Sequence, residues 1–278
     1  EVNQSLPAAE GGKVRFKIVD GNVTFKGWDQ NEVRVTGQLG ANTKGLVFEN
    51  DGAETLIKVE TDKDYFNNNR YFQGSPDTEL SIFMPENSWL FANSTSGDVQ
   101  IDGLKAGSKT KNVSGDITIS NSGKYVKAYT SSGDVKVYKC TGEVHIETVS
   151  GDIDAEVQAR RFEATTISGD VEGWIGDTYR VEMSSVSGDL EVAMNLADDG
   201  SIEASTVSGD IELLFKQEEI NAYFDMDTGP GGEIENNITD SKATGSWAGS
   251  EDLELKLGKG SAVVELETMS GTIEIAQR

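Results

Sequence analysis

Apolar and polar residues alternate along most of this chain, in short runs broken by turns. The pattern is clearest after a series of glycines: Val99 and Ile101, Ile117 and Ile119, Val135 and Val137, Ile153 and Ala155, Leu190 and Val192, Ile211 and Leu213, Ile273 and Ile275. A second set of alternating pairs precedes the turns: Val126 and Ala128, Val144 and Ile146, Phe162 and Ala164, Val181 and Met183, Ile202 and Ala204, Val264 and Leu266. A period of two is that of a strand with one face buried. The two sets are out of phase, since Val144 and Ile146 are even-numbered while Val149, Ile153 and Ala155 are odd. The chain must therefore bend between them, and the same bend recurs in every unit.

Ser-Gly-Asp marks that bend. Its glycines are Gly97, Gly115, Gly133, Gly151, Gly169, Gly188 and Gly209, spaced 18, 18, 18, 18, 19 and 21 residues apart, with an imperfect copy at Ser270-Gly271-Thr272. A fixed period over this length is the mark of a repeat architecture, in which each unit covers its neighbour and the core grows along one axis. The pattern predicts an all-β fold, a single-stranded parallel β-helix (β-solenoid) with 18 to 21 residues per coil. Equivalent residues on adjacent coils would lie ~4.8 Å apart. Right-handed winding follows from strand and crossover chirality, and the hexad repeat of left-handed helices is not visible. Residues 1–12 read as an N-terminal extension and 13–278 as one solenoid domain. Within it, 13–90 form irregular first coils with a loop at 62–76, 91–235 the regular coils, and 236–278 a loop and a closing coil.

Composition changes this picture little. With 24 basic and 48 acidic residues the net charge is −24 and the pI about 4.3, a field that repels nucleic acid and anionic lipid and keeps a β-rich chain soluble. Cys140 is the single cysteine, so an intramolecular disulfide is excluded, and it reads as a small packed residue. No apolar run reaches the ~20 residues of a transmembrane helix. A chain beginning at Glu1 fits an exported protein whose signal peptide has been removed, or a trimmed one.

Candidate chemistry is sparse. Calcium-binding nonapeptide rolls need a second glycine-rich turn half a coil on, but Ala106, Lys124, Gly142, Arg160 and Thr178 stand there. The turn aspartates, Asp98 through Asp210, suit backbone hydrogen bonding. Two outward acidic ladders occupy the later coils, Glu163, Glu182 and Glu203 before the turn and Glu172, Glu191 and Glu212 after it. A solvated face is the simple reading of this acidic stripe, and weak divalent-cation binding the sharper one. His145 is the single histidine and no nucleophile elbow accompanies it, so no catalytic, cofactor or metal set emerges. Tyr65, Phe66, Arg70, Tyr71 and Phe72, beside a run of asparagines, form a candidate recognition loop for a glycan or protein partner.

Gly27-Trp28-Asp29 with Glu32-Val33-Arg34-Val35-Thr36-Gly37, the Ser-Gly-Asp ladder, Leu257-Gly258-Lys259-Gly260 and Thr268-Met269-Ser270-Gly271 together resemble the DUF4097 family of putative adhesins, related to autotransporter-adhesin head domains. Thr272 departs from the pattern only in the last turn. The resemblance implies a bacterial, exported, periplasmic or cell-surface β-solenoid. The expected function is a non-catalytic binding or scaffold surface with an unidentified protein or glycan partner, no nucleic acid and no transmembrane segment. The alternatives are a divalent-cation-binding surface protein and a carbohydrate-active enzyme on a β-helix.

Overall fold

The computed structural model describes residues 1–62, 77–246 and 249–278, and no helix occurs among them. The fold is an all-β solenoid. Two compact units make up the chain, Glu1–Gly133 and Asp134–Arg278.

The first unit contains β1 (Val2–Pro7), β2 (Lys13–Lys17), β3 (Asn22–Trp28), β4 (Glu32–Gln38), β5 (Thr43–Asn50), β6 (Glu54–Thr61), β7 (Glu79–Pro85), β8 (Trp89–Asn93), β9 (Val99–Asp102), β10 (Ser108–Lys111), β11 (Ile117–Ser120) and β12 (Tyr125–Tyr129). β1 falls within the stretch read from the sequence as an extension. Segments that precede turns stack in one column, β5–β6–β2–β8–β10–β12, parallel except for the β5–β6 hairpin. Segments that follow turns stack in another, β1–β4–β7–β3–β9–β11, where β1–β4 and β4–β7 are antiparallel.

Order in the stack is not order in the chain. The first coil, β2 and β3, is paired on one side by β6 and β7 and on the other by β8 and β9. Its corner is Asp20-Gly21-Asn22, and Asp20 pairs with Ser96 just as Ser96 pairs with Ser114. This is the first copy of the recurring turn, with Asp in place of Ser and Asn in place of Asp. Val14, Phe16, Val23 and Phe25 bury their side chains at the odd or even positions the alternation assigns, and the rings of Phe16 and Phe25 meet edge to face at 5.2 Å. Each such side chain contributes roughly 1.5–3 kcal/mol when fully buried.

The second unit contains β13 (Val135–Glu147), β14 (Ile153–Thr165), β15 (Val171–Ser184), β16 (Leu190–Thr206), β17 (Ile211–Phe215), β18 (Ala222–Thr228), β19 (Glu233–Asn236), β20 (Thr244–Gly245), β21 (Glu251–Lys256), β22 (Ala262–Thr268) and β23 (Thr272–Gln277). The long strands β13 to β16 each run from one turn to the next, with register shifts in the middle that absorb the change of face. The post-turn column continues as β16–β17–β23–β19 and the pre-turn column as β16–β22–β18. The pre-turn column then closes with the antiparallel strands β21 and β20. The last coil in sequence, β22 and β23, is thus held between two others, as the first coil is in its own unit.

At the corner the phase changes one residue later than the alternation suggests. Thr166, Ser185, Thr206 and Thr268 are buried in phase with the preceding strand, and Thr206 and Thr268 donate hydroxyl hydrogen bonds to the carbonyls of Gly188 and Gly209 at 3.2 and 3.1 Å. Val149, grouped by parity with the inward residues, is instead 44% exposed, as are its equivalents Ile167, Val186, Val207 and Met269 to similar degrees. The buried hydroxyl keeps the backbone in its first phase until a carbonyl on the neighbouring coil is reached. Glycine is needed at the corner because the coils touch there: a Cβ on Gly188 would lie 2.0 Å from the Gly169 oxygen, and one on Gly209 2.2 Å from that of Gly188.

Candidate functional site

The turn aspartates do not stand as a row of bare carboxylates. In the second unit Oδ1 of Asp134, Asp152, Asp170 and Asp189 accepts the backbone N–H of Asp152, Asp170, Asp189 and Asp210 at 3.0, 2.9, 2.8 and 2.8 Å. Asp210 accepts from Thr272 at 2.6 Å, so Thr272 takes part as a donor without needing a carboxylate of its own. In the first unit Asp98 accepts from Asp116, and the Oδ1 of Asn22 opens the series by accepting from Asp98. Each carboxylate links two coils, and the N–H dipole it accepts offsets part of the repulsion along the column.

The post-turn acidic ladder is a true column. Glu172, Glu191 and Glu212 lie directly opposite one another on β15, β16 and β17, and the column continues through Glu274 on β23 to Glu235 on β19. Partial burial, then the charges of Glu212, Glu172, Asp189 and Asp170, push the Glu191 carboxyl above its ordinary range.

Its pre-turn counterpart is less uniform. Glu163, Glu182 and Glu203 are also in register and continue to Glu265 and Asp225. Near one end, however, His145 Nδ1 lies 2.7 Å from Glu163, and Arg161 reaches Glu163 and Glu182 at 3.5 and 3.4 Å. Arg180 also pairs with Glu182, and His145 with Glu147. Glu163, Glu182 and Glu203 line a depression of about 220 Å³ with Thr165, Ser184 and Ser205. At the far end of this column burial, followed by Asp225, Asp252, Glu267 and Glu254, raises the Asp227 carboxyl.

Sequence reasoning missed Glu265, Asp225, Glu274 and Glu235. The alternations Glu233-Ile234-Glu235 and Ile273-Glu274-Ile275 were the available signal, but the stacking order that aligns them is not local. Among the described residues no group of three or more His, Cys, Asp or Glu is arranged to hold a metal ion. Tyr138 donates its hydroxyl to Oδ2 of Asp154 at 2.5 Å, and the carboxylate pushes the phenol up to about 12. Cys140 is buried. The candidate loop residues Tyr65, Phe66, Arg70, Tyr71 and Phe72 lie outside the described residues. No helix among the described residues is long and apolar enough to cross a membrane.

Comparison with known proteins matches the chain to a family model described as Toastrack DUF4097, over residues 12–199 and 180–276. Two solved structures align along its length. One is a putative cell adhesion protein from Clostridium sporogenes, 11% identical, covering 100% of this chain and 99% of its own with a TM-score of 0.30. The other is a putative adhesin from Bacteroides fragilis, 13% identical, covering 100% and 96% with a TM-score of 0.40. No curated protein matches the chain.

Proposed function

Because this chain belongs to the Toastrack DUF4097 family, we propose that it is a non-catalytic, exported cell-envelope solenoid whose outward faces serve as a binding or scaffold surface, adhesin-like in the general sense of its resemblance. The observation that supports this reading is the ladder construction. Like side chains repeat strand after strand on open faces, as in the column Glu172, Glu191, Glu212, Glu274 and Glu235. Such a surface offers a partner many equivalent contacts and gives no single point at which reacting groups meet.

The test has two arms. Protease should degrade the full-length protein in intact producing cells or once their outer envelope is permeabilised, whereas protection until the cells are lysed would overturn export. Incubation of the purified protein with purified envelope polysaccharides should leave their chain length unchanged. Shortened chains would replace the scaffold with a carbohydrate-active enzyme.

A further inference from the structure

Against a net charge of −24, one face of the first unit is basic. The outward positions of β2, β8, β10 and β12 carry no carboxylate. In one register column Arg15 lies opposite Phe91, Phe91 opposite Lys109 and Lys109 opposite Lys127. In the next, Lys17 lies opposite Asn93, Asn93 opposite Lys111 and Lys111 opposite Tyr129. The flanking strand β6 places Lys58 beside Lys17, but pairs it with its own Glu60 at 3.1 Å, and its Glu54 is held by Arg15 at 2.6 Å. Equivalent outward positions in the second unit are largely acidic, among them Glu163, Glu182, Glu203 and Glu265.

The cations of this face are organised by aromatic rings. The ammonium groups of Lys109, Lys111 and Lys127 stand 5.7, 5.2 and 4.9 Å from the centre of the Tyr129 ring, and the Arg15 guanidinium 5.3 Å from that of Phe91. Trp89 stacks near Phe91 at 6.3 Å and Tyr125 at 6.0 Å. Ring contacts restrict the long side chains before any ligand arrives, which lowers the entropy lost on binding. Lysines directly opposite one another also repel, so an anion laid across them relieves a cost the free protein carries.

We propose that this basic, aromatic face binds an acidic polysaccharide through carboxylates spaced along its sugar rings, an inference that deepens the display reading and rests on it. The face is an open sheet with cations along two adjacent columns, which fits an extended polymer with recurring anions. Nucleic acid fits less well. Duplex DNA carries a charge every ~1.7 Å and pays heavily against the acidic remainder of the chain, and cations already cover the Tyr129 and Phe91 rings on which bases would stack. A sugar chain is less densely charged and presents C–H faces to Trp89 and Tyr125.

The experiment is calorimetric titration of the whole protein with polygalacturonate oligomers at low salt, alongside neutral dextran, an oligothymidylate and phosphatidylglycerol vesicles. Wild type should bind polygalacturonate best and lose affinity as salt rises. The combined Lys109→Gln, Lys111→Gln and Lys127→Gln variant should bind about tenfold more weakly, the loss expected of several exposed ion pairs. The corresponding arginine variant should restore binding, and Glu191→Gln with Glu212→Gln should leave the contribution of these lysines intact. Should the glutamine variant lose its thermal transition, Lys13→Gln with Lys17→Gln provides the same reading from β2. Absent wild-type binding, unchanged affinity in a folded variant, or tighter binding of the oligonucleotide or vesicles would overturn the proposal. Polymer shortening in the same samples would instead strike at the non-catalytic reading and leave this surface standing.

Discussion

Asp170 accepts the backbone N–H of Asp189 on Oδ1 at 2.8 Å, so a side chain of one coil satisfies the main chain of the next. The same bond recurs along the second unit and reaches Thr272. What the sequence presents as a turn motif is therefore an inter-coil link, and its removal leaves a part-buried donor without its acceptor. Asp170→Ala should lower stability by about 1–2 kcal/mol. Asp170→Asn should cost no more than about 0.5 kcal/mol, because Asn22 already supplies an amide oxygen in the equivalent bond to Asp98. Urea unfolding of both variants checks the pair, and equal losses would mean that charge, not the acceptor atom, matters here.

The corner glycines make a sharper prediction. Gly188→Ala should destabilise by about 3 kcal/mol or more, since its Cβ would be driven to 2.0 Å from the Gly169 carbonyl oxygen. Gly45→Ala on β5 has nothing within 4 Å of the added atom and should stay within about 0.5 kcal/mol of wild type. Thermal midpoints measured side by side decide whether close backbone approach, and not loss of chain flexibility, requires glycine at the corner.

These contacts explain what could be read in advance. A glycine that meets the preceding corner glycine's carbonyl must recur at every coil, so the turns of residues 97 to 209 stand out as a period. Asp20-Gly21-Asn22 escaped because both flanking residues are replaced by ones able to fill the same roles. Coil order escaped for another reason: the pairing of β2 with both β6 and β8 depends on which strands meet in space, which alternation within a strand does not encode. The basic face was hidden by averaging. The net charge of −24 and the acidic ladders of the later coils show only that the earlier coils are less acidic, while Lys17, Lys109, Lys111 and Lys127 gather only once distant strands are stacked.

Glu191 carries the pH dependence of the acidic column. Its pKa is raised in the folded protein, first by burial and then by neighbouring carboxylates, so folding favours the protonated form. The ionised group therefore opposes folding above the ordinary carboxylate range, and this opposition fades as pH falls through it. Glu191→Gln should raise the thermal midpoint at pH 7 relative to wild type, with the difference shrinking toward pH 4. Added salt at pH 7 should shrink it too, because much of the repulsion crosses solvent. A difference that grows on acidification would reverse the assigned direction.

The last coil in sequence should behave as interior structure. Ile273 on β23 is fully buried and lies opposite both Ile211 on β17 and Ile234 on β19. Strand β22 is likewise paired by β16 and β18. A frayed end coil would lose little on truncation of one side chain, because its neighbours could relax into the space. Here the neighbours on both sides are fixed by their own ladders, so Ile273→Ala should cost the 2–5 kcal/mol typical of large-to-small changes in a packed core. Removal of residues 262–278 should do more, separating β18 and β19 from β16 and β17, to which their strand ladders connect through β22 and β23. Limited thermolysin digestion of that truncation should cut within residues 217–256 under conditions where the intact protein resists. Resistance of the truncated protein would mean that β18 and β19 can close directly onto β16 and β17, and that the intercalated coil is dispensable.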